Sequence, residues 1–251
     1  MRAAIITGAT SGIGRATARH LARDGHAVLA VGRDVSALDA LSADLAGAGG
    51  TCVVVNADVT GADAPGRIVD AAVSHFGGID ALVNAAGIYQ PGAIETTEDE
   101  VWDRMMDINA RAPFRLMRAA VPSLAERRGA IVNVSSVTGL RAFPGVLGYC
   151  VSKAAVDQLT RCAALELAAR GVRVNAVNPG VVVTNLHRRG GMGEEQYAGF
   201  LVRAKETHPL GRPGRAEEIA ELIAFLVSDR SSWITGETIA IDGGRHLTCA
   251  R

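Results

Sequence analysis

The chain has 251 residues, enough for one well-filled α/β core and short for two independent domains. Lys plus Arg (26) equals Asp plus Glu (26), so no basic excess points to nucleic acid or to an anionic membrane surface. Apolar residues at 48%, charged residues at 21% and 29 glycines exclude a disordered chain and suit a globular protein rich in tight turns.

Short apolar runs recur along the chain at 3–6, 27–31, 52–55, 79–83, 130–134, 172–177 and 238–241. Helical patterns fall between them, near 13–24, 34–46, 63–76, 98–127, 149–169 and 216–228. Apolar runs alternating with helices predict a parallel sheet of about seven strands with helices on both faces: one doubly wound α/β domain over residues 1–251. After the sixth run the pattern changes. Asn185, His187, Arg188, Arg189, Gly190, Gly191 and Gly193 precede a short amphipathic piece around residues 194–205. A long, glycine-hinged connection after a strand's C-terminal end predicts an active-site lid over about residues 185–208.

The four cysteines, Cys52, Cys150, Cys162 and Cys249, show no CxxC spacing, which argues against a disulfide framework and against a zinc site. No metal is expected. The N-terminal apolar stretch breaks at Thr7, Gly8 and Ser11, too soon for a signal segment. Nowhere do about 18 apolar residues run together. A soluble, cytoplasmic protein with a small neutral or singly charged substrate is the expectation.

The first strand ends in Thr7-Gly8-Ala9-Thr10-Ser11-Gly12-Ile13-Gly14 and a helix follows. Glycines there let the backbone turn sharply and approach a pyrophosphate, whose charge is held by free N–H groups at the helix N-terminus. The second strand ends in Val31-Gly32-Arg33-Asp34, where NAD-binding folds place a carboxylate on the ribose 2′-OH. Arg33 offers charge and paired hydrogen bonds to a 2′-phosphate instead, which favours NADP over NAD. Asp34 beside it can neutralise that charge, and a solvated surface arginine is the alternative reading of Arg33.

Tyr149 and Lys153 stand four residues apart in a helical segment and share one face. A phenol is a poor base near neutrality, and a neighbouring ammonium favours its phenolate, so the pair can exchange a proton with an alcohol or carbonyl oxygen. Ser136 lies upstream at the end of a strand, the edge of an α/β sheet where ligands collect.

These motifs together resemble the short-chain dehydrogenase/reductase family, with its TGxxxGIG turn and YxxxK pair, over nearly the whole chain. The resemblance implies a Rossmann-type fold and a homotetramer. It assigns Gly8, Ser11, Gly12, Ile13 and Gly14 to the phosphate turn, and puts Gly32 where an NAD-selecting acid would stand. Asp58, followed by Val59, corresponds to an adenine-contacting acid. Asn84-Ala85-Ala86-Gly87 is similar to the NNAG motif with Ala at its second position. Ser136 would orient the substrate oxygen, Tyr149 transfer the proton, and Lys153 tune Tyr149 and hold the nicotinamide ribose. Asn109 would support a proton-relay water, while Pro179, Gly180, Val182 and Thr184 would hold the carboxamide. The implied activity is NADP(H)-dependent interconversion of an alcohol and a carbonyl.

The pocket wall is expected to include Val137, Thr138, Arg141, Phe143, Val146 and Leu147. Arg141, His187 and Arg188 are read as solvated lid charges, with contact to a substrate carboxylate or phosphate as the alternative. A 3-oxoacyl-carrier-protein reductase is the enzymatic rival, with Arg127, Arg128 and Arg170 as a basic rim or as ordinary helix caps. A non-catalytic NADP-binding protein is the rival of another class. A nucleotide-sugar epimerase is disfavoured, because the chain lacks room for a separate substrate domain.

Overall fold

The computed structural model describes residues 1–248. Cys249 lies outside them, and the described cysteines Cys52, Cys150 and Cys162 are free thiols. In chain order the elements are β1 (Ala3–Thr7), α1 (Gly12–Arg23), β2 (Ala27–Gly32), α2 (Val35–Gly47), β3 (Cys52–Asn56), α3 (Ala64–Phe76) and β4 (Ala81–Asn84). Then come α4 (Asp99–Met106), a π-helical turn at Asp107–Arg111, α5 (Ala112–Arg127), β5 (Ala130–Val134), α6 (Val137–Leu140) and α7 (Leu147–Leu167). The chain continues through β6 (Arg173–Pro179), α8 (Leu186–Arg189), α9 (Glu194–Thr207), α10 (Ala216–Val227) and β7 (Thr238–Ile241).

All seven strands are parallel, in the order β3-β2-β1-β4-β5-β6-β7. Successive strand residues point to opposite faces, so an uninterrupted apolar strand supplies two cores at once. Ile5 packs on one face with Leu29, Leu82, Ile131 and Val174, covered by Ile68, Leu116 and Leu124 from α3 and α5. Ile6 packs on the other face with Val28, Val83 and Val132, covered by Leu21 of α1 and Ile219 and Ile223 of α10. Each such buried side chain contributes roughly 1.5–3 kcal/mol relative to exposure. After β3 the chain crosses back to the other side of β1, so β1 and β4 meet at the switch point, where ligands enter at the strands' C-terminal ends.

The helix expected over 98–127 is interrupted. Pro113 has no N–H for the carbonyl of Asn109, and its ring would press on that carbonyl in a regular helix. The backbone widens there into the π turn, which carries Asn109. The connection expected over 185–208 is mostly helical, as α8 and α9, with Gly190 and Gly191 between them.

Candidate active site

The glycine turn is built by exclusion of side chains. Gly8 has φ +66, and a Cβ on it would lie 2.8 Å from the Ala85 carbonyl oxygen and the Ala86 nitrogen. A Cβ on Gly14 would lie 2.4 Å from the Gly8 oxygen, so α1 starts directly against the end of β1. A Cβ on Gly12, at φ +53, would lie 3.1 Å from Cγ2 of Thr184. Thr7 holds the opposite wall: its hydroxyl oxygen accepts from the backbone N–H groups of Ala85 and Ala86, each at 3.1 Å. Ser11 stands at the N-cap of α1 without capping it, and its hydroxyl accepts from Nη1 of Arg189 at 3.0 Å. The first turn of α1 carries no acidic residue. Backbone N–H groups at that end therefore face the cleft with a positive potential, suited to a pyrophosphate.

At the end of β2, Asp34 does not neutralise Arg33. Its carboxylate caps α2, accepting from the Ala37 N–H at 3.0 Å. Arg33 instead meets Asp58 at 3.5 Å. Asp58 is held below the usual carboxylate range mainly by the Thr60 backbone N–H, with the Arg33 charge acting in the same direction. A Cβ on Gly32 would stand 2.5 Å from Cγ2 of Thr10. An acid at position 32 would have to displace the Thr10 side chain.

Tyr149 and Lys153 lie one turn apart on α7, both buried and both lining a cleft of about 750 Å³ that also contains the glycine turn. Ser136, at the N-cap of α6, lines it too, its hydroxyl oxygen accepting from the Thr138 N–H at 3.1 Å. Lys153 donates from Nζ to the Val134 carbonyl at 2.8 Å, with Nζ 5.6 Å from the Tyr149 ring centroid. Burial pulls its ammonium down to about 8, against an upward pull from Asp157. The expected lowering of the Tyr149 pKa is not found. Burial raises the phenol above the ordinary tyrosine range, a hydrogen bond with Ser136 works against this, and Tyr89 and Cys150 add to the rise. The phenol is thus held protonated, the form that donates to a carbonyl oxygen.

A buried polar network fixes these groups. Ser135 donates to the Lys153 carbonyl at 3.1 Å, and Asn178 donates to the Ser136 carbonyl at 2.9 Å and to the Asp157 carboxylate at 3.0 Å. Asp157 and the side chain of Asn178 went unnoticed in the sequence. The i,i+4 spacing of Lys153 and Asp157 on one helix face was the available signal.

Two expected site residues have their side chains engaged within the protein. Asn109 clamps the strand-four loop: its Oδ1 accepts from the Ile88 N–H at 2.9 Å, and its Nδ2 donates to the Ile88 carbonyl and the Ser152 hydroxyl, both at 3.0 Å. Its side chain is thereby a positioning group. Asn84 does not line the cleft. It donates to Asn133 at 2.8 Å, which donates to Thr160 at 2.9 Å, a ladder tying β4 to β5 and α7. Asp58 and Val59 also stand outside the cleft lining, whereas Ile13, Ala85, Gly87, Pro179, Gly180, Val182 and Thr184 all line it.

Another polar group missed in the sequence is His208. Its Nε2 accepts from the Val181 N–H at 3.1 Å and its Nδ1 faces the Ala204 carbonyl at 2.9 Å, which together require the neutral ring protonated on Nδ1. Burial lowers its pKa to match. A Cβ on Gly180 would lie 2.8 Å from that Nε2, so the ring approaches Gly180 closely. Tyr197 on α9 secures the same loop by donating to the Thr184 carbonyl at 2.9 Å.

Val137, Thr138, Phe143 and Val146 line the cleft as expected, and Arg141 and Leu147 do not. None of Arg141, Arg188 and His187 stands ready as an anion contact. Arg141 donates to the carbonyls of His246, at 3.0 Å, and Thr248. Arg188 holds both carboxylate oxygens of Glu194 and lies over the Tyr197 ring. Burial pushes His187 down to about 4, leaving it neutral, packed 4.8 Å from the Tyr89 ring and 4.5 Å from Phe200. Tyr89 in turn meets Tyr149 edge-on at 5.3 Å. Of the suggested basic rim, Arg127 is committed to the Gly77 carbonyl at 2.8 Å and to Asp80. Among the described residues no cluster of His, Cys, Asp and Glu has metal-binding geometry, and no helix is long and apolar enough to cross a membrane.

Parallel sheet, glycine turn and Ser/Tyr/Lys set define a dinucleotide-dependent oxidoreductase, and comparison with known proteins agrees. A family model described as enoyl-(acyl carrier protein) reductase matches residues 8–246. The chain is 39% identical to a 3-oxoacyl-(acyl-carrier-protein) reductase of Thermotoga maritima over 245 residues, covering 96% of each. It is 39% identical to human dehydrogenase/reductase SDR family member 4, over 97% of this chain and 87% of that protein. A Caenorhabditis elegans short-chain dehydrogenase/reductase of unknown function, solved with cofactor, superposes with a TM-score of 0.92 at 36% identity, over 98% of this chain and 96% of that one. The chain belongs to the short-chain dehydrogenase/reductase family and is a nicotinamide-dependent oxidoreductase.

Proposed function

We propose that this enzyme uses NADP(H) to interconvert an alcohol and a carbonyl on a small or medium-sized substrate. The observation that carries the reading is the meeting of Tyr149, Lys153 and Ser136 in the cleft that opens from the glycine turn. The turn fits a dinucleotide, because Gly8 and Gly14 let β1, the start of α1 and the Ala85–Ala86 backbone pack with no side chain between them, which leaves the N-terminus of α1 at the cleft. Ser11, Gly12 and Ile13 flank the pyrophosphate. Arg33 takes the 2′-phosphate, and Asp58 and Val59 stand at the adenine end. Ala85, Gly87, Pro179, Gly180, Val182 and Thr184 enclose the nicotinamide half. The bound nicotinamide supplies or accepts the hydride. Tyr149 gives its proton to the carbonyl oxygen in reduction and recovers it in oxidation, Ser136 orients that oxygen, and Lys153 holds the ribose and stabilises the phenolate as it forms. Asn109 holds Ile88 through its side chain and supports a proton-relay water. The segment of α8 and α9 serves as the lid.

A reading as acyl-carrier-protein reductase has the names of relatives in its favour, and the commitment of Arg127 to Gly77 and Asp80 weighs against that basic rim. A cytoplasmic homotetramer is proposed, with exposed Phe114 on α5 and Val151 and Leu165 on α7 as candidate contacts. The test is a panel of ketones, diketones, sugars and acyl-carrier thioesters followed by NADPH and NADH absorbance. The reading expects NADPH-dependent reduction of free carbonyl compounds. Turnover confined to the carrier thioester would replace it with the second reading, and no oxidation of either cofactor would leave a binding protein.

A further inference from the structure

We propose that Arg189, carried on the lid helix α8, is a pyrophosphate contact: its guanidinium supplies the charge that the glycine turn lacks and ties the lid to the bound cofactor. This rests on the dinucleotide reading above and adds to it a residue that the sequence motifs do not contain.

The glycine turn by itself is short of charge. Residues 8 and 10–14 line the cleft and none of them is charged, while Arg15 does not line it. What they offer is backbone N–H groups and the N-terminus of α1, whose dipole is worth roughly half an elementary charge. A pyrophosphate bridge has an ionised oxygen on each phosphorus, more than that helix end balances alone.

Arg189 reaches this place from far along the chain. Its Nη1 donates to the Ser11 hydroxyl at 3.0 Å, and Arg189 lines the cleft together with Ser11 and Gly12. Ser11 is the N-cap residue of α1, extended at φ −161 and ψ 167, and its hydroxyl does not cap the helix. The guanidinium therefore stands at the open end of α1. Among the described residues Arg189 has no ion-pair partner, and Ser11 is the one hydrogen-bond partner of its side chain, whereas the neighbouring Arg188 is spent on Glu194. A guanidinium has five N–H donors, so a single contact to a neutral hydroxyl leaves its charge and most of its donors open to phosphate oxygens.

The contact with Ser11 is not what holds the lid. The Leu186 N–H donates to Oγ1 of Thr184 at 3.4 Å, and Arg188 meets Glu194 at the start of α9 at 2.6 Å. Gly190 lies so close to Tyr89 that a Cβ there would fall 2.4 Å from the Tyr89 carbonyl oxygen. One exposed hydrogen bond to a hydroxyl adds little to such an anchorage. The same short helix carries His187, packed 4.8 Å from the Tyr89 ring, and that ring meets Tyr149 edge-on. α8 thus joins the phosphate end of the cleft to the wall beside the catalytic phenol, and a phosphate held by Arg189 fastens both.

The test is equilibrium binding of NADPH and NADH, followed by nucleotide fluorescence, to the wild type, Arg189→Gln and Arg189→Lys, at low salt and at about 0.5 M salt. A pyrophosphate contact serves both nucleotides. Arg189→Gln should therefore raise both dissociation constants by the same factor, about three- to tenfold at low salt, between the worth of an exposed ion pair and that of a charge-assisted hydrogen bond. Salt should shrink the factor and Arg189→Lys should recover part of the loss, neither of which a purely structural fastening of the lid would do. Unchanged binding of both nucleotides, or a factor indifferent to salt, would overturn the inference and leave the dehydrogenase reading standing. A loss confined to NADPH would also overturn it, because Arg189 would then serve the 2′-phosphate. Failure of the wild type to bind either nucleotide would overturn both.

Discussion

Arg33 is available to a phosphate because Asp34 caps α2 and, among the described residues, Asp58 at 3.5 Å is its one ion-pair partner. Arg33→Ala should therefore cut the NADPH-to-NADH ratio of kcat/KM by about tenfold, the loss of one charge-assisted contact. Steady-state kinetics with both cofactors measures it, and an unchanged ratio would return Arg33 to the solvated surface. His208 makes a second prediction at this scale. Its neutral ring accepts the Val181 N–H, and burial sets its folded pKa below 6.5. The contact is intact above pH 6.5 and is lost as pH falls through the lowered value. Cofactor KM should thus rise on acidification, and His208→Gln, whose amide oxygen can accept without titrating, should flatten that rise.

The catalytic helix α7 depends on how closely α6 can lie against it. A Cβ on Gly139 would fall 2.3 Å from the Asp157 carboxylate and 3.0 Å from the Lys153 backbone. Gly139→Ala should destabilise the fold by about 1–3 kcal/mol, the usual cost of overpacking, and reduce turnover by shifting Lys153. Chemical denaturation and kinetics on one preparation would show both effects, and a variant neutral in both would contradict this packing. Elements also mark the limits of sequence reading. The strands were legible because parallel strands are apolar on both faces, and the expected ranges differ from β1 to β7 by at most two residues at either end. The π turn at Asp107–Arg111 was not, although Pro113 sat in plain view inside an apolar helical pattern. A proline in a long helix announces a disturbance without saying whether the chain kinks, stops or widens. The glycine turn and the Tyr149/Lys153 pair were readable because their chemistry is set by local spacing. The Asp157–Asn178 contact, His208 on Val181 and the Asn84–Asn133–Thr160 ladder join residues distant in sequence, and only the fold brings them together. Arg141 misled for a related reason: a guanidinium near a pocket can as readily tie down a backbone turn.

Across the whole molecule, the buried pair leaves a mark on folding stability. The folded pKa of Lys153, about 8, lies below its ordinary value of 10.5. A depressed folded value means a contribution present above pH 10.5 and lost as pH falls to 8, so between these limits the wild type should gain stability relative to Lys153→Met. The gain is bounded on the order of 3 kcal/mol, and Tyr149, shifted upward, opposes it above pH 10. Denaturant midpoints at a series of pH values for both proteins would reveal the slope, and parallel curves would contradict a buried ammonium. The most direct trial of the account concerns the phenol. Tyr149→Phe removes one oxygen from a buried ring whose packing against Tyr89 stays intact. NADPH binding, followed by fluorescence, should persist within about threefold of wild type, since no phosphate contact is touched, while turnover should fall at least about a thousandfold, the upper part of the range for a lost general acid. Retention of near wild-type turnover with NADPH would contradict the assignment of Tyr149 as the proton donor.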